Sequence, residues 1–333
     1  MFLHQIDESY ITTMAEAGFQ KVFSTLQLNE NAEEDLTTLA NICLEHQLQL
    51  VLDVHPAVFQ THPVDSLIRL GIQNLRLDDG FELEDMKQLS SHFKLILNAS
   101  TITEQIVMDL LRAGIPNTRL EAWHNYYPHA YTGLDEIFFN AQNDMLQKYG
   151  IETAAFIRGD VLRGPLFEGL PTIESHRQLS PFASYLRIKD SVDHVLVGDL
   201  QISPASIHQL KQYVLSEQMT LRVKLLKAYA YVEKQLFHNR PDEAAYVIRF
   251  AESRTLYKRE VPVDGAAAAR AIGAITIDNA SFGRYEGEIQ IVKKAMLGDS
   301  RVNWIGEVIE EDLPLIQLIR SNQAIQLEVI SWI

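Results

Sequence analysis

Carboxylates, amides and arginines recur where short apolar runs end, and this recurrence is the first chemical signal in the chain. Ser24 and Thr25, Asp53 and His55, Asp78 and Asp79, Asn98 and Ser100, Glu121, His124, Asn125 and Tyr127, Arg158, Asp160 and Arg163, and finally Asp199 lie at or just past such runs. Asp53, Asp78, Glu121 and Asp199 suit glycoside hydrolysis, in which one carboxyl protonates the leaving oxygen and a second attacks the sugar or activates water. Strand-end aspartates also cap helices and anchor loops, so each of the four carries both readings. Asp79 reads as a turn residue, because Asp-Gly is a common turn pair.

Two long loops add binding chemistry. The segment WHNYYPHAYTG, 123–133, gathers a tryptophan, three tyrosines and two histidines. Aromatic faces stack on sugar rings, while His124, Asn125, Tyr126 and Tyr127 can hydrogen-bond to ring substituents. Neither His124 nor His129 has the paired spacing of a metal site, so no metal is expected, and no cofactor motif is present. The segment RGDVLRGPLFEGLPTIESHR, 158–177, holds Arg158, Arg163 and Arg177 with glycines at 159, 164 and 169. Guanidinium forks and glycine-exposed backbone N–H groups fit a phosphate or carboxylate. Surface pairing with Asp160, Glu168 and Glu174 is the plainer alternative.

These residues need a scaffold that turns successive strand ends toward one place. Up to about residue 218 the chain alternates strand-like runs with segments of helical period, the pattern of parallel βα units. The runs are 21–26, 49–54, 74–78, 94–98, 119–123, 153–158 and 194–199, and a helix over 8–17 precedes the first of them. An α/β, TIM-type (β/α)8 barrel whose first strand is missing or reduced to Phe2–Leu3 explains this order better than a doubly wound sheet. Catalytic groups of such barrels collect at the carboxyl ends of strands, which is why the strand-end residues are the candidates. After residue 220 the pattern becomes mostly strand-like, with runs at 221–227, 245–250, 274–278, 288–292, 303–308 and 325–330 and one helix over 311–320. That predicts a small, mostly antiparallel β-rich barrel.

Charge supports a division of the chain into 1–219 and 220–333. The first part holds 14 basic against 29 acidic residues, a net −15, and the second 15 of each. The acidic balance argues against a nucleic-acid surface, which needs clustered lysine and arginine. A single cysteine, Cys43, rules out an intramolecular disulfide. The opening MFLHQIDESY turns polar too early for a signal peptide, and no run reaches the length of a membrane span. A cytoplasmic protein with no membrane partner is expected.

Several segments resemble the 6-phospho-N-acetylmuramidase family: LRLDDGF at 75–81, LNAST at 97–101, LEAWHNYYP at 120–128, TGL at 132–134, RGPL at 163–166, EGLPTIESHR at 168–177 and VGD at 197–199. ITIDN at 275–279, FGRYEGEI at 282–289 and DSRVNWIG at 299–306 extend the likeness through the second part. The resemblance implies an exo-acting hydrolase of cell-wall (peptidoglycan) recycling, with a barrel followed by a cyclophilin-like domain. It would release N-acetylmuramic acid 6-phosphate from a phosphorylated amino-sugar disaccharide, and it leaves a homodimer open. Asp78 falls on the RLD motif and Glu121 just before HNYYP, which makes them the first candidates for the catalytic pair, with Asp53 and Asp199 next. Asn98, His124, Asn125, Tyr126 and Tyr127 would meet the sugar, and Arg158, Arg163 and Arg177 the phosphate or lactyl carboxylate. The chain departs from the family pattern in lacking a GxSxY-like opening strand and in having Ala274 where an aspartate is expected.

Two other functions suit the same features. A sugar-phosphate isomerase or aldolase could use the barrel, although Lys21 and Lys94 stand at strand starts, the wrong end for a Schiff base. A non-catalytic phosphosugar-binding protein would keep the pocket without turnover.

Overall fold

The structure, a computed structural model, describes residues 6–26, 32–233, 235–258 and 261–333. It divides into two compact units, Met1–Ile207 and His208–Ile333. The opening-strand candidate Phe2–Leu3 lies outside the described residues.

The first unit alternates α1 (Glu8–Glu16), β1 (Lys21–Thr25), α2 (Ala32–Glu45), β2 (Gln49–Val54), α3 (Val58–Thr61), α4 (Val64–Arg69), β3 (Asn74–Leu77), α5 (Leu83–Ser90), β4 (Lys94–Asn98), α6 (Glu104–Arg112), β5 (Leu120–Trp123), α7 (Glu136–Lys148), β6 (Glu152–Ile157), α8 (Pro181–Ile188) and β7 (His194–Val197). The seven strands pair in chain order and all in parallel, so the sheet curls into a nearly closed barrel. Among the described residues β1 and β7 are not paired with each other, and α1 lines the cleft between them with Tyr10, Ile11 and Met14.

Local chemistry sets the helix starts. Asp7 accepts from the Tyr10 N–H at 3.0 Å to cap α1, Thr103 caps α6, Asp135 caps α7, and Ser180 caps α8 ahead of Pro181. Because strand side chains alternate between faces, the strands divide their residues between two cores. Leu52, Leu75, Leu95, Leu97 and Ala122 face outward against Leu36, Leu39, Val107 and Leu110 of the helices. Val51, Ile96, Trp123, Ala154, Phe156 and Leu196 fill the barrel, with Phe23 and Tyr126 packed on them.

The second unit begins within α9 (Pro204–Ser216) and contains β8 (Met219–Leu225), β9 (Leu236–His238), β10 (Val247–Arg249), α10 (Ser253–Tyr257), β11 (Ala274–Asp278), β12 (Ile289–Val292), β13 (Val302–Val308), α11 (Leu313–Ile316) and β14 (Ala324–Trp332). Its sheet runs β10-β12-β11-β13-β8-β14-β9, antiparallel except for the β8–β14 pair. A bridge between Asn239 and Phe250 draws its two edges together, giving a barrel-like sheet. The helix expected over 311–320 is reduced to a 3-10 turn, Glu310–Asp312, and the single turn of α11. Pro314 stands in the first turn, and the buried Asp312 is fixed by a 2.6 Å ion pair with Arg222, so tertiary contacts set the start rather than helical period. Three-residue β9 was too short to show alternation in the sequence. Among the described residues no helix is long and apolar enough to cross a membrane.

Candidate active site

Glu121 does not reach the carboxyl end of the barrel. It is the second residue of the four-residue β5, inward-facing and 1% exposed, and it meets Lys21 at 2.7 Å and Lys94 at 2.6 Å, the first residues of β1 and β4. The Trp123 indole N–H also donates to it at 2.8 Å. Burial works to raise the Glu121 carboxyl, but Lys21 and these hydrogen bonds outweigh it and bring the pKa down to about 2. Glu121 is therefore a fixed anion at the amino-terminal end, separated from the other end by the Phe23–Trp123–Phe156 layer. Glu121, Glu152 and His194 place ligand atoms within 4.8 Å of one another. Lys21 and Lys94 already supply the counter-charge there, so this donor set does not fit a metal ion. Both lysines are thereby directed at Glu121 and away from the mouth.

Asp199 and His124 fall on the outer faces of their strands. Asp199 follows outward-facing Val195 and Val197 and accepts from the backbone N–H groups of Gly159, Arg163 and Leu170 at 2.9, 3.0 and 2.9 Å. Its carboxylate shapes the arginine loop. Gly159 and Gly198 permit this packing, since a Cβ would stand 2.5 Å from the Gln201 carbonyl oxygen at one and 2.3 Å from that of Leu170 at the other. His124 is fully buried, with Nε2 3.0 Å from Asn143 Oδ1 of α7 and its ring against Phe139. Burial pushes the imidazole down to about 4, leaving it neutral at physiological pH. It packs α7 against β5.

Arg177 is committed as well. It is buried and pairs through Nε and Nη2 with Glu174 at 2.6 and 2.7 Å, while donating to the carbonyls of Tyr127, His129, Glu168 and Gly169. Glu174 in turn accepts from the Tyr131 and Gly133 N–H groups, and hydrogen bonding from Arg177 holds its carboxyl down to about 2. This pair clasps the aromatic and arginine loops to each other. Arg158 donates from Nη1 to the Arg177 carbonyl at 2.9 Å and from Nε to that of Gly159, which seats its side chain in the same loop. Tyr127 is half-buried and tied by its N–H to the Pro171 carbonyl.

The remaining candidates converge at the carboxyl end. Asp53, the inward residue near the end of β2, accepts from Arg76 Nη1 at 2.7 Å. The other terminal nitrogen of Arg76 donates to Asn125 Oδ1 in a very short contact. The Asn125 N–H donates to Ser100 Oγ at 3.0 Å, and the Ser100 N–H donates to Asn98 Oδ1 at 3.0 Å. A single chain of hydrogen bonds, Asp53–Arg76–Asn125–Ser100–Asn98, thus crosses the ends of β2, β3, β5 and β4. Burial raises the Asp53 carboxyl, Arg76 opposes the rise, and nearby Asp78 adds to it. Asp78 itself is exposed just past β3. Tyr126 packs edge-on against Phe156 and accepts from Arg163 Nη1 at 3.2 Å. Arg76 was absent from the sequence candidates. The available signal was an arginine inside the buried strand NLRL, two residues before Asp78 and so on the same face.

Fold and site define a two-unit α/β protein with a parallel, nearly closed barrel whose mouth carries carboxylates, amides and arginines. The N-terminal and C-terminal family models of 6-phospho-N-acetylmuramidase match residues 3–212 and 219–328. The chain belongs to that family. A conserved Enterococcus faecalis protein of unknown function is similar over 99% of this chain and 95% of its own, at 32% identity and a TM-score of 0.90. An uncharacterized B. cereus protein is similar over 98% and 97%, at 25% identity and a TM-score of 0.75. No curated protein matches.

Proposed function

We propose that this chain is a glycosidase that releases N-acetylmuramic acid 6-phosphate from its disaccharide with N-acetylglucosamine, with Asp53 and Asp78 as the carboxyl pair. The hydrogen-bonded chain from Asp53 to Asn98 carries the reading, because it sets one of two neighbouring carboxyls rigidly beside sugar-type donors and acceptors. Asp53, whose proton affinity burial raises, protonates the leaving oxygen, and exposed Asp78 supplies the carboxylate that attacks or activates water. Asn98, Asn125, Tyr126 and Tyr127 meet the sugar, while Arg163 and Arg158 face its anionic substituents; Glu121, Asp199, His124 and Arg177 act as scaffold.

The chemistry belongs to residues 1–219, read as a TIM-type barrel with no strand between β1 and β7 among the described residues, and residues 220–333 form the cyclophilin-like part. A cytoplasmic setting fits a phosphorylated substrate, and a homodimer is compatible with this arrangement. Incubation with the phosphorylated disaccharide tests the function. Free N-acetylmuramic acid 6-phosphate is expected from the intact chain and not from Asp53→Asn or Asp78→Asn; full activity in both variants would overturn the assignment of the pair.

A further inference from the structure

Arg76 lies inside the barrel, 8% exposed, and is held at three points. Nη1 donates to Asp53 Oδ1 at 2.7 Å, the other terminal nitrogen donates to Asn125 Oδ1, and the guanidinium carbon stands 6.0 Å from the centre of the Phe23 ring. Asn125 is itself a fixed post, its N–H donating to Ser100 Oγ at 3.0 Å and its carbonyl accepting from Thr172 Oγ1 at 2.9 Å. The third kind of N–H on the guanidinium, that of Nε, is sealed from solvent without a partner. A buried donor left unsatisfied costs stability, so this pose is not the one that best stabilises the arginine. What the pose achieves is two arms set in place, one on Asp53 of β2 and one on Asn125 just past β5.

The arm on Asp53 decides which of its oxygens can carry a proton. Arginine only donates, so Oδ1 serves as an acceptor and a proton belongs on Oδ2. Among the described residues nothing donates to Oδ2, and that oxygen is not one of the buried atoms closed off from solvent, in keeping with a side chain that is 23% exposed. Resting on the proposed function, we infer that Arg76 is the positioning residue of the acid: it keeps the Asp53 proton on the open oxygen and steadies the carboxylate that forms when the proton leaves. In that step the proton passes from Oδ2 to the glycosidic oxygen. The bond from the anomeric carbon to that oxygen breaks, its electron pair goes to the oxygen, and Asp53 is left as an anion beside a guanidinium already in place. A fixed counter-charge beside charge that develops in the transition state lowers the barrier without any reorganisation. A lysine would supply the charge but not both arms.

Two substrates that differ in their need for a proton separate this role from a structural one. The sugar alkoxide of the disaccharide leaves only with a proton, whereas 2,4-dinitrophenolate leaves without one. Arg76→Gln should lower kcat/KM on the disaccharide by about a hundredfold, and on the 2,4-dinitrophenyl glycoside of N-acetylmuramic acid 6-phosphate by less than about fivefold. The ratio of the two losses does not depend on how much of a preparation is folded. The alkaline limb of the disaccharide pH profile should also move up by about 1 to 2 pH units, because Asp53 without the guanidinium gives up its proton less readily. Arg76→Lys keeps the charge and loses one arm, so its limb should stay near that of wild type while its loss still falls about tenfold more heavily on the disaccharide; this variant carries the comparison if Arg76→Gln does not fold. Equal losses on both substrates, or an unmoved limb in Arg76→Gln, would overturn the inference and leave the proposed function standing. If wild type cleaves neither substrate, the proposed function fails instead, and carboxyl-carbon NMR decides the inference. Asp53 should then titrate about 1 to 2 pH units higher in Arg76→Gln than in wild type, and an unchanged titration refutes the role of Arg76.

Discussion

The two ends of the barrel hold carboxylates in which burial and pairing are balanced in opposite ways. At the amino-terminal end Glu121 is 1% exposed and saturated by Lys21, Lys94 and Trp123, whereas at the carboxyl end Asp53 has a 23% exposed side chain and one arginine shared with Asn125. Cation pairing outweighs burial at Glu121 and fixes it as an anion; at Asp53 burial outweighs the single Arg76 and raises its proton affinity. The saturated ion is a structural element, and the proposed acid role falls on the carboxyl whose proton affinity burial raises.

The largest effect should come from the mouth. Asp53→Asn and Asp78→Asn should each lower kcat on the phosphorylated disaccharide by about 100- to 10,000-fold, measured as sugar release. Glu121→Gln should leave kcat of the folded protein within about threefold, yet cost about 3–5 kcal/mol in urea unfolding, because Lys21 loses the charge that holds it. A large kcat loss with unchanged stability would erase the distinction between the ends.

Asp278 in the second unit sharpens the comparison, since it is a buried carboxyl with no direct cation partner among the described residues. Burial raises it to about 7, and Glu288 adds to the rise while Arg270 and the Glu288-paired Arg249 oppose it. Its folded pKa lies above the unfolded value. The stabilisation is therefore full below about pH 4 and lost as pH rises through about 7. The second unit should unfold more easily at pH 8 than at pH 5, by about 3 kcal/mol, and Asp278→Asn should flatten that dependence. Unfolding midpoints across pH check this. The smallest effect belongs to Asp199→Asn, which weakens a carboxylate holding three backbone N–H groups of the arginine loop. KM should rise about tenfold with kcat nearly unchanged.

Much of this was legible beforehand. Alternation of apolar runs and helical period located all seven barrel strands to within two residues at each end, because buried parallel strands are continuous aliphatic segments bounded by polar turns. The places of Asp53, Asp78, Asn98 and Asn125 at the strand ends were legible for the same reason, as polar residues where those runs stop. Short β9 and the broken helix near Pro314 escaped because neither carries enough residues to establish a period.

The sequence by itself determined the strand–helix order, the division in charge near residue 219 and the polar character of each strand exit, all of which depend on neighbours in the chain. Only tertiary structure decided which face and which end each group occupies. Glu121 and Asn125 share a face four residues apart, yet one meets lysines from β1 and β4 while the other meets Arg76 of β3. Asp199 and His124 are one residue out of phase with the mouth, and alternation sends them to the outer layer. Arg177 carried two readings, an anion ligand or a partner of nearby Glu174, and the fold favours the pair by setting four carbonyl oxygens around the same guanidinium. For Glu121, Asp199 and His124 the partners come from distant parts of the chain, so long-range packing, and not local spacing, sets what stands beside each of them.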